Sequence, residues 1–178
     1  MTNKNHEYRI QLATRNDLPI IMKMIEDGKE RLKNMRVDQW QNGYPNEEVI
    51  LKDMKVGNSY LFFEGDTPVA TFALFFDNDP TYSSIKEGEW LTKNPYTVIH
   101  RIAVSENHLG KGIMGQLLQK VGEKSLAKGF GSMRMDTHPE NKTMQRALLK
   151  NKFEFCGHIY LENNDLRFAY ERIWNEKW

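Results

Sequence analysis

Polar and apolar residues alternate from Tyr8 to Leu12, the period of a short β-strand. Asn16 or Asp17, just before Leu18-Pro19, then supplies a helix cap with proline in the first turn. Past it, Leu18, Ile21, Met22, Ile25 and Leu32 recur at helical spacing, while Asp27, Lys29, Glu30 and Arg31 fall mostly on the other side, so an amphipathic helix is expected. Asn46, ahead of Glu47, Glu48, Val49, Ile50 and Leu51, caps a second helix. The turn-rich stretch between them, Gln39-Trp40-Gln41-Asn42-Gly43-Tyr44-Pro45, carries groups able to line a pocket. Two aromatic, apolar runs, 59–64 and 69–76, meet across Gly65-Asp66-Thr67-Pro68 and read as a hairpin.

From about 77 to 95 the chain is polar and without period, either a functional loop or a solvated insertion. The second half is more regular. It predicts a strand over 97–104, a helix from 112 to about 128, a strand over 132–137, a helix over 141–150 and a strand over 153–161. A last strand, 166–172, turns back through Glu162-Asn163-Asn164-Asp165. Strand and helix alternating from 97 to 161 is the pattern of parallel strands joined by crossovers, whereas the first half suggests antiparallel pairing. The sum is an α/β fold, a mixed sheet of about seven strands flanked by helices, in a single domain over 1–178.

Charge and composition narrow the function. Lys and Arg number 25 against 24 Asp and Glu, a net charge of +1, so the chain lacks the basic footprint of a nucleic-acid or membrane-surface binder. The opening MTNKNHEYRI has no apolar core of a signal peptide, and no later run approaches the roughly 18 apolar residues of a membrane span; a cytoplasmic protein is expected. Cys156 is the one cysteine, which excludes an internal disulfide, and the five histidines are scattered, so no metal is expected. Between Phe155 and Gly157 in an apolar strand, Cys156 reads as buried rather than nucleophilic.

The strongest chemical signal is Leu109-Gly110-Lys111-Gly112-Ile113-Met114-Gly115, between the strand ending at Val104 and a helix bearing Ile113, Leu117, Leu118 and Val121 on one face. Glycines let a ligand approach the backbone, and the free amides and positive dipole end of the helix suit an anion, a diphosphate above all. No G-x-x-x-x-G-K-S/T string occurs, which argues against nucleotide hydrolysis. Gly110-x-Gly112-x-x-Gly115 does satisfy the dinucleotide fingerprint, with Asp136 ending the next strand where a ribose-binding acid would sit. Against that reading, residues 105–109 separate the turn from its strand, and only 42 of the 178 residues follow Asp136.

Taken together, Ile102-Ala103-Val104, the polar loop, Gly110-Lys111-Gly112-Ile113, the helix ending near Gly129, the strand to Thr137, Asn141 and Asn151-Lys152-Phe153 resemble the GNAT superfamily of N-acetyltransferases over about 60 residues. The signature Gln/Arg-x-x-Gly-x-Gly/Ala falls on Leu109 to Met114, with Leu109 in place of the polar first residue, Met114 in place of the small last one, and Gly115 one step later. The resemblance implies acetyl-coenzyme A as cofactor and direct transfer of its acetyl group to a primary amine of a small molecule or peptide. It also implies that the strand of Ile102, Ala103 and Val104 splays from the strand ending at Asp136 to admit the pantetheine arm. Leu109, Gly110, Lys111, Gly112, Ile113, Met114 and Gly115 would hold the diphosphate, and Asn141 either contacts the cofactor or caps its helix.

Such a reaction needs a neutral amine, a donor for the developing oxyanion and a proton for the departing thiolate. Backbone N–H groups near Ile102 or Ala103 suit the oxyanion, but the helix position that in many members of the family carries a tyrosine holds Leu148. His100 is a candidate base, placed by alternation on the face of Val98, Ile102 and Val104. Asp136 and His138 end the neighbouring strand, and Tyr160 is the other available acid; each has a structural role open as well. Trp40, Tyr44, Phe76 and Trp90 are candidate walls of the acceptor pocket. The missing tyrosine and altered turn keep a second reading, a module that holds an acyl-coenzyme A without catalysis. The late aromatic residues Phe168, Tyr170, Trp174 and Trp178 fit either a core edge or a homodimer contact.

Overall fold

The computed structural model of the protein describes residues 7–76 and 79–174. Seven strands, β1 (Tyr8–Leu12), β2 (Ser59–Glu64), β3 (Thr67–Phe75), β4 (Tyr96–Val104), β5 (Ser132–Thr137), β6 (Glu154–Tyr160) and β7 (Leu166–Ile173), form one mixed sheet in the order β1-β2-β3-β4-β5-β7-β6. The helices are α1 (Leu18–Asn34), α2 (Glu47–Lys55), α3 (Ile113–Ala127) and α4 (Lys142–Lys150). The expected elements are present, with two differences. β7 inserts between β5 and β6, pairing antiparallel with both, so β4–β5 is the parallel pair rather than one of a run. At the first helix the cap is built differently: the Asp17 carboxylate reaches back to the Thr14 amide (2.7 Å) and hydroxyl (2.8 Å), closing a 3-10 turn from which α1 continues.

Strand alternation sorts the core. On β2, Leu61 and Phe63 meet Ile21 and Ile25 of α1 and Ile50 of α2, while Tyr60 and Phe62 face the opposite way, toward Leu117, Leu118 and Val121 of α3. Phe62, Leu117 and Leu118 are completely buried, each contributing roughly 1.5–3 kcal/mol of transfer free energy. Trp174 also joins this core, lying so close to α3 that a Cβ on Gly122 would stand 1.8 Å from its ring. Tyr170 and Trp174 are thus buried in this core, Phe168 packs against it partly buried, and Trp178 lies outside the described residues.

The polar segment after β3 is a packed strap. Tyr82 is buried with Tyr96, Val98, Ile159 and Ala169, covering the sheet face that α3 and α4 leave free in the second half. Lys86 exchanges two backbone hydrogen bonds of 2.8 Å with His158, closing the outer edge of β6. Trp90 donates its indole N–H to the Tyr82 carbonyl at 2.9 Å, and the Leu91 amide donates to Glu171 at 2.7 Å. Beneath it, the Arg134 guanidinium lies between the rings of Trp90 and Tyr96, 4.2 and 3.7 Å from their centroids, and bonds Glu171. The Ser132 hydroxyl donates to the same carboxylate. Among the described residues no helix is long and apolar enough to cross a membrane, and no group of His, Cys, Asp and Glu is arranged to hold a metal ion.

Candidate active site

β4 and β5 are hydrogen-bonded neighbours over only three pairs, Tyr96↔Ser132 to Val98↔Arg134. Beyond them β4 stays with β3 and β5 with β7, so a cleft opens between residues 99–104 and 135–137. Its β4 wall is bulged. His100 opposes Ala73 and Ala103 opposes Thr71, leaving Arg101 and Ile102 together opposite Phe72. Arg101 takes a left-handed conformation, φ 53°, which costs a residue bearing a side chain about 1–3 kcal/mol.

The bulge corrects the alternation expected for this strand. Ile99 and Ile102 both face α3, whereas Val98 and His100 face the strap, so His100 does not share a side with Ile102. An extra residue in the strand turns every later side chain over.

Below the cleft a short 3-10 turn, Glu106–His108, leads into the glycine turn. Gly110 (φ 72°) and Gly112 (φ 78°) are left-handed, and a Cβ at either would meet nothing within 4 Å. The space over the turn is therefore clear, and glycine is required there by backbone conformation rather than by crowding. Ile113 begins α3, whose first amides lack intrahelical acceptors, and no side chain among the described residues caps them. Gly115 has a different role: its Cβ would lie 2.9 Å from the Asn151 side-chain oxygen, so it permits packing of α3 against the end of α4. Leu109 is exposed, and no side chain at its position is needed for backbone amides to hold an anion.

His100 lies between two carboxylates. Its Nε2 is 2.7 Å from Asp79 Oδ2, and its Nδ1 is 4.0 Å from Asp136 Oδ1. Burial pushes the Asp79 carboxyl up, but the hydrogen bond and charge of His100 and the Thr81 amide outweigh it and hold it below 3.8. An ionised Asp79 only accepts, so Nε2 carries a hydrogen toward it, and Nδ1 is the nitrogen that faces Asp136. Asp136 accepts from the Tyr82 hydroxyl at 2.6 Å and lies 4.0 Å from Arg167 Nε. Burial, then the charge of Asp136, raise the Tyr82 phenol well above 10, which keeps it a donor.

Asp79 and Tyr82 are site residues that the sequence reading missed. They come from the aperiodic strap, and the signal that could have found them is its length, since long ordered loops carry function.

The remaining candidates divide. Tyr44 reaches the bulge, its hydroxyl accepting from Arg101 Nη1 at 2.7 Å. Trp40 packs over Gly28 of α1 in the same loop. Asn141 caps α4, its Oδ1 accepting from the Met144 amide at 3.1 Å, and its Nδ2 donates to Gln39 at 2.9 Å, tying that loop to the end of β5. His138 shapes the turn into α4, its Nδ1 accepting from the Glu140 amide at 3.2 Å; burial, then Arg167, hold it below 6.5. Tyr160 is exposed on the outermost strand, with β7 and β5 between it and the cleft. Phe76 meets Phe130 edge to face at the closed end of the β4–β5 pair, and Trp90 belongs to the strap over Arg134. Neither of these two rings is brought to the cleft. Burial, then Glu171, push the Cys156 thiol up to about 11, leaving it a poor nucleophile.

Residues 29–153 match the acetyltransferase (GNAT) family. A GNAT-family acetyltransferase of known structure from Streptococcus agalactiae 2603 is 32% identical, with a TM-score of 0.87 over 95% of this chain and 96% of that one. One from Listeria monocytogenes 4b F2365 is 19% identical, with a TM-score of 0.72 over 97% and 98%. Aminoglycoside acetyltransferase AAC(6')-Ib, solved in complex with coenzyme A, is 16% identical and shares the fold at a TM-score of 0.69 over 94% and 95%. No curated protein matches the sequence. The chain belongs to the GNAT family of acetyltransferases, with acetyl-coenzyme A as its cofactor.

Proposed function

We propose that the protein transfers the acetyl group of acetyl-coenzyme A directly to a primary amine presented beneath the 39–46 loop. The observation that carries the reading is the position of His100. It directly precedes the bulge residue Arg101 on the cleft wall, and Asp79 fixes its Nε2–H and so leaves Nδ1 free to take a proton. The cradle fits the cofactor: two left-handed glycines with clear space above them, the first amides of α3, and a strand segment, 102–104, that is unpaired toward β5.

The amides of Gly112, Ile113 and Met114 would hold the diphosphate, and the backbone of Ile102, Ala103 and Val104 the pantetheine arm. When bound, acetyl-coenzyme A supplies an activated carbonyl and a thiolate leaving group. The bulge at Arg101–Ile102 interrupts the β3–β4 pairing where that carbonyl would need a donor. His100 Nδ1 would accept the proton of the incoming ammonium, with Asp79 stabilising the imidazolium that results, and the second proton of the attacking nitrogen would leave with the thiolate, giving the amide and free coenzyme A thiol. With the one thiol buried and its pKa raised, no acyl-enzyme is invoked.

A second reading, retention of an acyl-coenzyme A without turnover, rests on Leu148, which is completely buried where many relatives carry their acid. Calorimetric titration with coenzyme A, NAD and ATP, with Gly112→Glu as control, tests the cofactor; thiol release with an aminoglycoside, a free amino acid and a peptide N-terminus tests the transfer. Binding of coenzyme A alone, lost in Gly112→Glu, followed by amine-dependent thiol release is the expected result. Binding without release from any amine supports the second reading, and binding of NAD alone overturns both.

A further inference from the structure

Arg101 fills a position that the cleft itself does not require to be arginine. Glycine would take its left-handed backbone without strain. What the arginine adds is a fork. Its Nε donates to Asp53 Oδ2 at 2.8 Å and its Nη2 to Asp53 Oδ1 at 2.9 Å, while Nη1 donates to the Tyr44 hydroxyl at 2.7 Å. The guanidinium also lies 5.5 Å from the centre of the Phe75 ring. Both charged side chains are nearly buried, 10% exposed for Arg101 and 7% for Asp53. A planar, bidentate pair fixes direction as well as distance, which a lysine could not do.

The three partners belong to three parts of the molecule. Arg101 is in the β4 bulge, Asp53 is on α2, which is anchored in the core by Ile50, and Tyr44 is in the loop joining α1 to α2. We infer that Arg101 is a positioning residue whose fork, through Asp53 and Tyr44, couples the order of the 39–46 loop to occupancy of the bulge. The inference rests on the acetyl-transfer reading of this cleft.

His100 precedes the clamp and Ile102 follows it, so the base and the carbonyl-facing backbone share one rigid reference. Because three of its donors are already engaged with a carboxylate and a phenol, Arg101 is not a free cation for an acceptor's carboxylate. By linkage, a ligand that orders the bulge orders the loop, and an amine that orders the loop tightens the bulge.

Deuterium exchange at 39–46 and 99–104 tests this, with coenzyme A or acetyl-coenzyme A added to the wild type, Arg101→Gly and Tyr44→Phe. In the wild type, acetyl-coenzyme A should slow exchange in both segments, by about fivefold or more at 39–46. In Arg101→Gly the slowing should be confined to 99–104, and Tyr44→Phe should fall between. Titration with coenzyme A fixes the occupancy of each of the three proteins, so that the slowing is compared at equal saturation. Slowing at 39–46 that survives in both variants, or is missing in the wild type, overturns the inference while leaving the transferase reading standing. Failure of the wild type to bind coenzyme A in the same titration overturns that reading and this inference with it.

Discussion

Glu171 on β7 and Arg134 on β5 meet at 3.0 Å with neither side chain open to solvent. The carboxylate is also the acceptor for the Ser132 hydroxyl and the Leu91 amide, and Arg134 donates to the Thr92 carbonyl at 2.7 Å. The pair therefore fastens the end of the strap to the sheet. Glu171→Gln leaves a buried guanidinium without its counter-charge, a loss of about 3–5 kcal/mol. At roughly 2–4 °C per kcal/mol for a domain of this size, thermal unfolding should begin about 6–20 °C lower. A change of a degree or two would mean that water reaches Arg134.

The His100–Asp79 pair makes two separate predictions. Replacing His100 with Gln should reduce amine-dependent thiol release by about 10²–10⁴, the usual contribution of a general base, with little change in coenzyme A affinity. Asp79 is held below its ordinary 3.8, so its stabilising effect is complete above that value and is lost as pH falls through the lower folded value. Denaturant midpoints should thus fall more steeply below about pH 4 in the wild type than in Asp79→Asn. Parallel curves would show that the pair does not contribute to folding.

His138 behaves in the opposite chemical sense. Folding favours its neutral form, because burial and Arg167 hold it below 6.5. The unfolded chain consequently binds more protons just under that value, so stability rises with pH through this window and is complete above it. His138→Gln should flatten the dependence of the denaturant midpoint between about pH 5 and 7. An unchanged slope would assign the effect to another group.

Gly122 offers a test of packing that is independent of the site. A side chain there must displace the Trp174 ring, which is 1.8 Å from the ideal Cβ position. Gly122→Val should cost about 1–3 kcal/mol and shift Trp fluorescence toward the exposed range. Full stability with unchanged fluorescence would refute the contact.

The sequence made most of this architecture legible because its elements are separated by clear changes of period, from Tyr8 to the final β7. The place of β7 between β5 and β6 was not legible, since strand partners are chosen by packing across the whole sheet. The glycine turn could be read because left-handed backbone selects Gly110 and Gly112. The same conformation at Arg101 left no mark, for an arginine is held there by Asp53 and Tyr44, dozens of residues away. His100 was visible as a candidate, but its orientation depends on Asp79 in a stretch without any period. Gly115 fitted a fingerprint for one reason and is required for another, the proximity of Asn151.

The strap places a limit on how this chain can vary. Surface connections commonly tolerate inserted or deleted residues, because nothing depends on their length. Here Asp79, Tyr82, Lys86 and Trp90 each reach a fixed partner, respectively His100, Asp136, His158 and Arg134, so a change of one residue would put several of them out of step at once. A tag, a graft or a shortened homologue would be better accommodated elsewhere on the molecule, however much this stretch looks like a spare loop.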